Sequence, residues 1–284
     1  MRMKSAIKFI IAKTCRFLCK LGVMKPSKVV LVEGGICSQI RQYYLGVSIL
    51  PSCQPDFDMS FYLDGGRDML GNYNRPFELL TIFPDLTFKQ CDERKARFYR
   101  RWLQEDDKEN LSLPLYINYY KLTCDYGDFK NVFALEKAVL PGRLNSLLDM
   151  IKNSQSCGVH IRRGDLANNN NSYYGEFSED YIMQAMDYVE KRNGGEVNYF
   201  VFSDDPQWVK KEFSLRCEYP IFVVEGNSGS EDLILLAHCR YIISSQGSAG
   251  RMAALLNGDS LLIMKKGDPH NASYLKAHNN CVEL

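Results

Sequence analysis

Cys157-Gly158-Val159-His160-Ile161-Arg162-Arg163-Gly164-Asp165 is a short apolar run that stops abruptly at two arginines, a glycine and an aspartate. A brief apolar segment bounded by turn residues predicts a buried strand, here over Cys157–Ile161. Downstream the pattern recurs. The spacing predicts a helix over 178–192, a strand over Asn198–Ser203 and a helix over Pro206–Phe213. It continues with a strand over Pro220–Val224, a helix over Glu231–His238 and a strand over Tyr241–Ser244. A helix over Gly250–Leu256 and a final strand over Ser260–Met264 complete it. Strand and helix alternating five times predicts an α/β fold with a parallel sheet covered by helices.

Working towards the N-terminus, Gly142–Lys152 reads as a helix and Leu115–Tyr119 as a short strand. Asp106–Asn110 reads as a solvated turn, with helical pieces near 91–103 and 77–83. Residues 51–76, rich in Gly, Asp, Asn and Pro, read as loop. Before them, Lys28–Val32 (KVVLV) predicts a buried strand, Gly34-Gly35 a turn, and Ser38–Leu50 a helix that Pro51 stops. These signals divide the chain into residues 1–23, an N-terminal domain over 28–153 and a C-terminal domain over 154–284. The Asn run at Asn168–Asn171 is expected to lie in a loop.

Residues 1–23 (MRMKSAIKFIIAKTCRFLCKLGV) carry six cations. On a helix, Ile7, Ile10, Ile11, Phe17, Leu18 and Leu21 gather to one side. No apolar run reaches the roughly 18–20 residues that a spanning helix needs, and no secretory cleavage pattern follows. The outcomes left open are a basic amphipathic helix lying in a membrane interface, a helix packed on its own domain, or a frayed terminus.

The chain has 284 residues, 45% of them hydrophobic, and a net charge of +1, so no basic excess points to nucleic acid. Its ten cysteines form no C-x-x-C pair, and no Cys/His grouping has zinc spacing. They are expected to be reduced thiols in a cytosolic setting. His160, His238, His270 and His278 include no metal-binding helical pair.

Chemistry is expected at the strand ends. Ligands of open α/β sheets bind beyond the carboxyl ends of the strands. There Arg162, with Arg163 beside it, can grip a phosphate through a planar, permanently charged fork. Gly164 allows a sharp turn, Asp165 can orient an arginine or accept a proton, and His160 shares a face with Arg162. The competing reading is a surface Arg–Asp pair above a core histidine. Ser244-Ser245-Gln246-Gly247-Ser248-Ala249-Gly250 joins a strand to a helix. Its small residues would let backbone N–H groups reach a phosphate, with Ser245 and Ser248 adding hydroxyls. It can equally be a tightly packed N-cap. Gly34-Gly35, with Ser38 and Gln39 able to face a cleft, lacks G-x-G-x-x-G and can also be a plain turn. In Ser203-Asp204-Asp205-Pro206, Asp205 as N-cap and Pro206 at the first helical position explain the spacing without a metal. Asp204 remains a candidate for the cleft edge.

Taken together, these pieces resemble the alpha-1,2-fucosyltransferase family. GVHIRRGD at 158–165 matches its H-x-R-R-G-D motif, and FVFSDDPQWVKKEF at 200–213 its F-x-x-F-S-D-D-x-x-W-V stretch. GGICSQIRQYYLG at 34–46 and DLILLAHCRYIISSQGSAGRMAALLNGD at 232–259 resemble two further segments, in family order. The chain departs from the pattern at Cys37-Ser38, at Arg41, and at Arg251-Met252, where the family has Trp-Trp.

The resemblance implies a GT-B-like fold of two Rossmann-like domains. GDP-fucose would sit on the C-terminal domain and a glycan or glycolipid acceptor mainly on the N-terminal one. It implies an inverting transfer that needs no metal or other cofactor. Arg162 would hold the diphosphate, His160 and Asp165 would complete the motif, and Gly247 and Ser248 would line the nucleotide site. Polysaccharide or lipopolysaccharide assembly at the inner face of the cytoplasmic membrane would fit, with peripheral contact through residues 1–23. Left open are another nucleotide sugar or linkage, and an inactive glycan-binding pseudo-transferase.

Overall fold

The computed structural model describes residues 2–67, 74–104, 111–118, 126–163, 177–268 and 271–284. Asp106–Asn110, Gly164, Asp165, Asn168–Asn171 and His270 lie outside the described residues. The chain forms two compact units: Met1–Leu80 with Asp85–Cys124, and Thr81–Pro84 with Asp125–Leu284. The division therefore falls at Cys124/Asp125, where the sequence suggested a boundary near 153. Residues 126–152 belong to the C-terminal unit.

In the first unit, β1 (Lys28–Leu31) is the central strand of a three-stranded parallel sheet, between β2 (Pro55–Asp58) and β3 (Leu115–Ile117). Every residue of β1 is buried, as a strand flanked on both sides must be. That includes Lys28, which donates to the carbonyls of Ile49 and Leu50 just past helix α2 (Ile36–Ser48). Burial lowers its pKa to about 8.

β2 lies inside the stretch expected to be loop. Its Pro-Asp-Phe-Asp sequence is strand-averse, but tertiary partners satisfy both acids. Asp56 pairs with Lys89 at 2.8 Å and Lys95 at 2.6 Å. Asp58 accepts from the Tyr116 hydroxyl at 2.7 Å and from Arg100 at 2.6 Å. Burial alone would raise the Asp58 pKa, yet Arg100, Tyr116 and Ser60 together hold it below the ordinary carboxylate range. Helix α1 (Arg2–Lys20) packs on α3 (Glu93–Trp102), where Ala12 and Cys15 join Ala96, Tyr99 and Leu103 in a shared cluster.

The second unit holds a six-stranded sheet, all of whose pairings are parallel, built from β4 (Ser156–Ile161), β5 (Asn198–Ser203), β6 (Ile221–Val224), β7 (Tyr241–Ser244), β8 (Leu261–Met264) and β9 (Cys281–Glu283). Its spatial order is β6-β5-β4-β7-β8-β9. β9 and the helix before it, Asn271–Ala277, were not foreseen; β8 is not the last strand. The longer helices are α4 (Asn145–Lys152), α5 (Glu179–Asn193), α6 (Gly229–Ala237) and α7 (Ala249–Asn257).

The side chains of β4 alternate as the pleat requires. Cys157, Val159 and Ile161 enter a cluster with Tyr181, Ile182, Ala185 and Met186 of α5. Gly158 faces the other way, so close to α6 that a Cβ there would lie 2.4 Å from Leu236 Cδ1. The expected helix over Pro206–Phe213 is a single α-turn over Pro206–Trp208 followed by a π-turn over Val209–Phe213.

Candidate active site

β4 has β5 on one side and β7 on the other, and strand order reverses across this point. In chain order the strands run third-second-first-fourth-fifth-sixth, the doubly wound arrangement that opens a crevice beyond the carboxyl ends of the two central strands. The residues after β4, β5 and β7 are therefore neighbours. Pairing of Ile161 with Ser203 and of His160 with Ser244 brings Arg162 beside both Asp204 and Ser245.

The contacts follow that register. Asp204 Oδ2 lies 3.2 Å from Arg162 Nε, and Asp204 Oδ1 accepts the Arg163 backbone N–H at 2.8 Å. On the other side, Ser245 Oγ accepts the Arg162 backbone N–H at 3.0 Å, and Gln246 Nε2 donates to the Arg162 carbonyl at 2.9 Å. Arg162 is thus clamped from both flanks, with its side chain still 25% exposed. This is neither a loose surface arginine nor one sealed in the core.

The Ser-Gly loop turns over this arginine. Gly247 has φ +95°, a conformation that side chains rarely adopt, and a Cβ there would lie 3.6 Å from Arg162 Cγ. At the N-cap of α7, Ser248 makes no side-chain cap hydrogen bond. Its hydroxyl is not committed to capping, whereas Ser245's is committed to Arg162. Gly250 lets α7 approach β7: a Cβ there would fall 2.7 Å from Ser244 Cβ. The positive end of the α7 dipole therefore sits against the arginine-bearing strand end.

His160 is about nine-tenths buried, and its Nδ1 has no hydrogen-bond partner. Burial, reinforced by the charges of Arg162 and Arg251, lowers its pKa to about 3. The imidazole is therefore neutral at ordinary pH. Its Nδ1 is thus a buried polar atom beside Arg162 without a partner in the protein.

Several expected site residues have other duties. Arg163 turns to Asp205, 2.9 Å away, and its guanidinium stacks at 4.5 Å from the Trp208 ring, so it props the 204–208 turn. Asp205 caps the following helical turn by accepting the Trp208 N–H at 3.1 Å, as its spacing before Pro206 suggested. In the first unit, Gln39 does not face a cleft. It is fully buried, donates to the carbonyls of Gly34 (3.0 Å) and Pro76 (2.8 Å), and accepts from the N–H groups of Glu78 and Leu79. Gly34 carries the positive φ of that turn, while Gly35 is extended and borders open space.

The sequence marked Arg251 only as a departure from the family pattern and assigned it no role. It is 2% exposed, pairs with Asp268, donates Nε–H to Asn271 Oδ1 at 3.1 Å, and donates to the Gly247 carbonyl. Its position, one turn into the helix after the loop, was the available signal. Among the described residues no group of three His, Cys, Asp or Glu side chains is placed to hold a metal ion.

A doubly wound unit with an arginine and a helix N-terminus at its switch point is a phosphate-binding α/β arrangement. Residues 62–280 match glycosyl transferase family 11, and the chain belongs to that family. It is 34% identical over 120 residues to an alpha-1,2-colitosyltransferase of Escherichia coli, covering 40% of this chain and 41% of that one. It is 33% identical over 96 residues to a galactoside 2-alpha-L-fucosyltransferase of Caenorhabditis elegans, covering 32% and 26%. The chain thus spans less than half the length of each of these relatives. Among solved structures, it is similar to the alpha-1,6-fucosyltransferase NodZ soaked with GDP-fucose, with a TM-score of 0.46 and 13% identity over 87% of this chain and 97% of that one. It is also similar to the ADP-heptose heptosyltransferase II of E. coli, with a TM-score of 0.47 and 11% identity over 91% and 90%.

Proposed function

We propose that the protein transfers L-fucose from GDP-fucose to a hydroxyl of a glycan or glycolipid, α-1,2 to a galactoside, with inversion at the anomeric carbon. The observation that carries this reading is the clamp on Arg162 by Asp204 and Ser245 at the switch point. The acceptor hydroxyl attacks the anomeric carbon as the bond to the GDP β-phosphate oxygen breaks. Negative charge grows on the departing diphosphate, where the Arg162 fork and the N–H groups at the start of α7 meet it. No metal is invoked. The acceptor's proton passes to a carboxylate, for which Asp165 of the H-x-R-R-G-D motif is the candidate; orienting Arg162 is the other role open to it. His160, neutral, offers its buried Nδ1 to the donor.

The test is ligand-induced melting with GDP, UDP and CDP sugars on wild type and Arg162→Ala, followed by product analysis with a galactoside acceptor. A shift with GDP sugars alone, lost in Arg162→Ala with a 10²–10³-fold fall in rate, about the cost of removing one such donor, is expected. Normal turnover by a folded Arg162→Ala enzyme would overturn the mechanism.

A second reading is favoured by the E. coli relative, named as an alpha-1,2-colitosyltransferase: transfer of a sugar other than fucose. Competition between fucosyl and colitosyl donors in one reaction separates the two. Peripheral contact of residues 1–23 with the inner face of the cytoplasmic membrane belongs to the same proposal. No described helix is long and apolar enough to cross a membrane.

A further inference from the structure

Helix α1 packs against its own unit through Ala12, Cys15 and the partly buried Ile11, and leaves several of its bulkiest apolar side chains exposed. Ala12 and Cys15 are buried in the cluster with α3, one turn apart on a single helix face. Ile10 and Phe17, seven residues or two turns apart on the opposite face, and Leu21 just past the end of the helix, are 61%, 58% and 58% exposed. Phe9 and Ile7 widen that stripe. Burying the small side and exposing the large one reverses what packing energy alone would select. An exposed group of large apolar side chains rimmed by charge marks an interaction surface.

Its rim is of one sign. Lys13 and Lys20, both exposed, border the stripe, and the sequence holds no Asp or Glu before Glu33. Lys13 Nζ stands 5.8 Å above the Phe9 ring, a cation at the boundary of the apolar strip. On a helix laid flat in a lipid interface, the apolar stripe enters the acyl boundary while long lysine stems reach back to the headgroups.

We infer that the outward face of α1, centred on Ile10, Phe17 and Leu21, docks the protein flat on a bilayer rich in anionic lipid. The charge of the rim selects anionic lipid over a zwitterionic one. The cluster with α3 fixes which face of α1 is presented, so the surface is preformed and does not depend on the helix folding at the membrane. This goes beyond residues 1–23 as a generic contact by assigning the face, and it is independent of which donor the C-terminal unit binds.

Co-sedimentation of the full chain with phosphatidylcholine vesicles, with and without phosphatidylglycerol, tests it. Wild type is expected to pellet with the anionic vesicles, and less so as salt is raised. Ile10→Asp and Phe17→Asp should each lower partition at least tenfold. Lys13→Glu and Lys20→Glu should each lower it about fivefold or more at low salt, since each cation at an anionic surface is worth about that factor. The GDP-induced melting shift, read on the same samples, should be unchanged in all four variants, which separates failure here from failure of the donor reading. Equal partition of wild type and Phe17→Asp would overturn the inference. So would wild type that ignores anionic vesicles, or a concentration-dependent dimer of wild type that Phe17→Asp abolishes.

Discussion

Asp204 holds Arg162 and its neighbour with one carboxylate: Oδ2 lies 3.2 Å from Arg162 Nε and Oδ1 accepts the Arg163 backbone N–H at 2.8 Å. The aspartate thereby fixes both the direction of the Arg162 side chain and the path of the chain just beyond β4. A charged hydrogen bond of this kind contributes about 1.5–3 kcal/mol.

Asp204→Ala should therefore weaken donor binding and kcat/KM by about 10–100-fold, because a guanidinium no longer held loses its pre-set geometry. Asp204→Asn, which keeps an acceptor for the Arg163 N–H but loses the charge facing Arg162, should fall between. Donor titration and steady-state kinetics check both; an Asp204→Ala enzyme with wild-type donor affinity would remove the orienting role.

Gly158 shows a second constraint on the same strand. A Cβ at this position would lie 2.4 Å from Leu236 Cδ1 and 2.9 Å from Cys239 Sγ. Gly158→Ala must displace the Leu236 and Cys239 side chains, and overpacking of this kind costs about 1–3 kcal/mol. Denaturant unfolding should show that loss. An alanine variant as stable as wild type would mean that the Leu236 and Cys239 side chains yield at no cost.

How much of this was legible in the sequence depended on whether local pattern and tertiary outcome agreed. The alternation after Cys157 was readable because each strand is short, apolar and bounded by turn residues. Tyr241–Ser244 was placed to the residue, and Asp205 was recognised as a cap from Pro206 alone. β2 was not readable: Pro-Asp-Phe-Asp becomes a strand because Lys95, Arg100 and Tyr116, distant in sequence, satisfy its acids. Arg162 could be named from its strand end. The duties of Ser245, Gln39 and Arg163 could not, since they depend on which strands and loops become neighbours.

His160 carries a pH dependence with a definite sign. Burial first, then the charges of Arg162 and Arg251, take its pKa from 6.5 to about 3. Between those values the unfolded chain binds the proton and the folded chain does not, so stability falls as pH drops from 6.5 towards 3. The slope approaches 1.4 kcal/mol per pH unit for a single group, about 2–3 kcal/mol between pH 7 and pH 4.5. Unfolding of wild type and His160→Gln at both pH values isolates it: wild type should lose that much more than the variant. Matching losses would mean that the histidine is not held neutral.

Arg251 ties the Ser-Gly loop to the far edge of its sheet. Its guanidinium, 2% exposed, pairs with Asp268, bonds Asn271 Oδ1 and donates to the Gly247 carbonyl. Asn271 in turn donates to Glu283 of β9 at 2.7 Å. This is why an arginine can stand where the related pattern carries an aromatic: it is a buried, fully engaged cation with a counter-charge of its own. Arg251→Met would take the guanidinium away from the Asp268 carboxylate and release the Gly247 carbonyl, and breaking a buried pair from one side costs about 3–5 kcal/mol. Arg251→Lys keeps the charge but cannot reach three acceptors with a planar fork. It should recover part of the stability while leaving the loop over Arg162 loosely held. The expected signature is a lysine variant that is closer to wild type in unfolding than in donor affinity. If Arg251→Lys restored both alike, the arginine would serve stability alone and the loop would hold its shape without it.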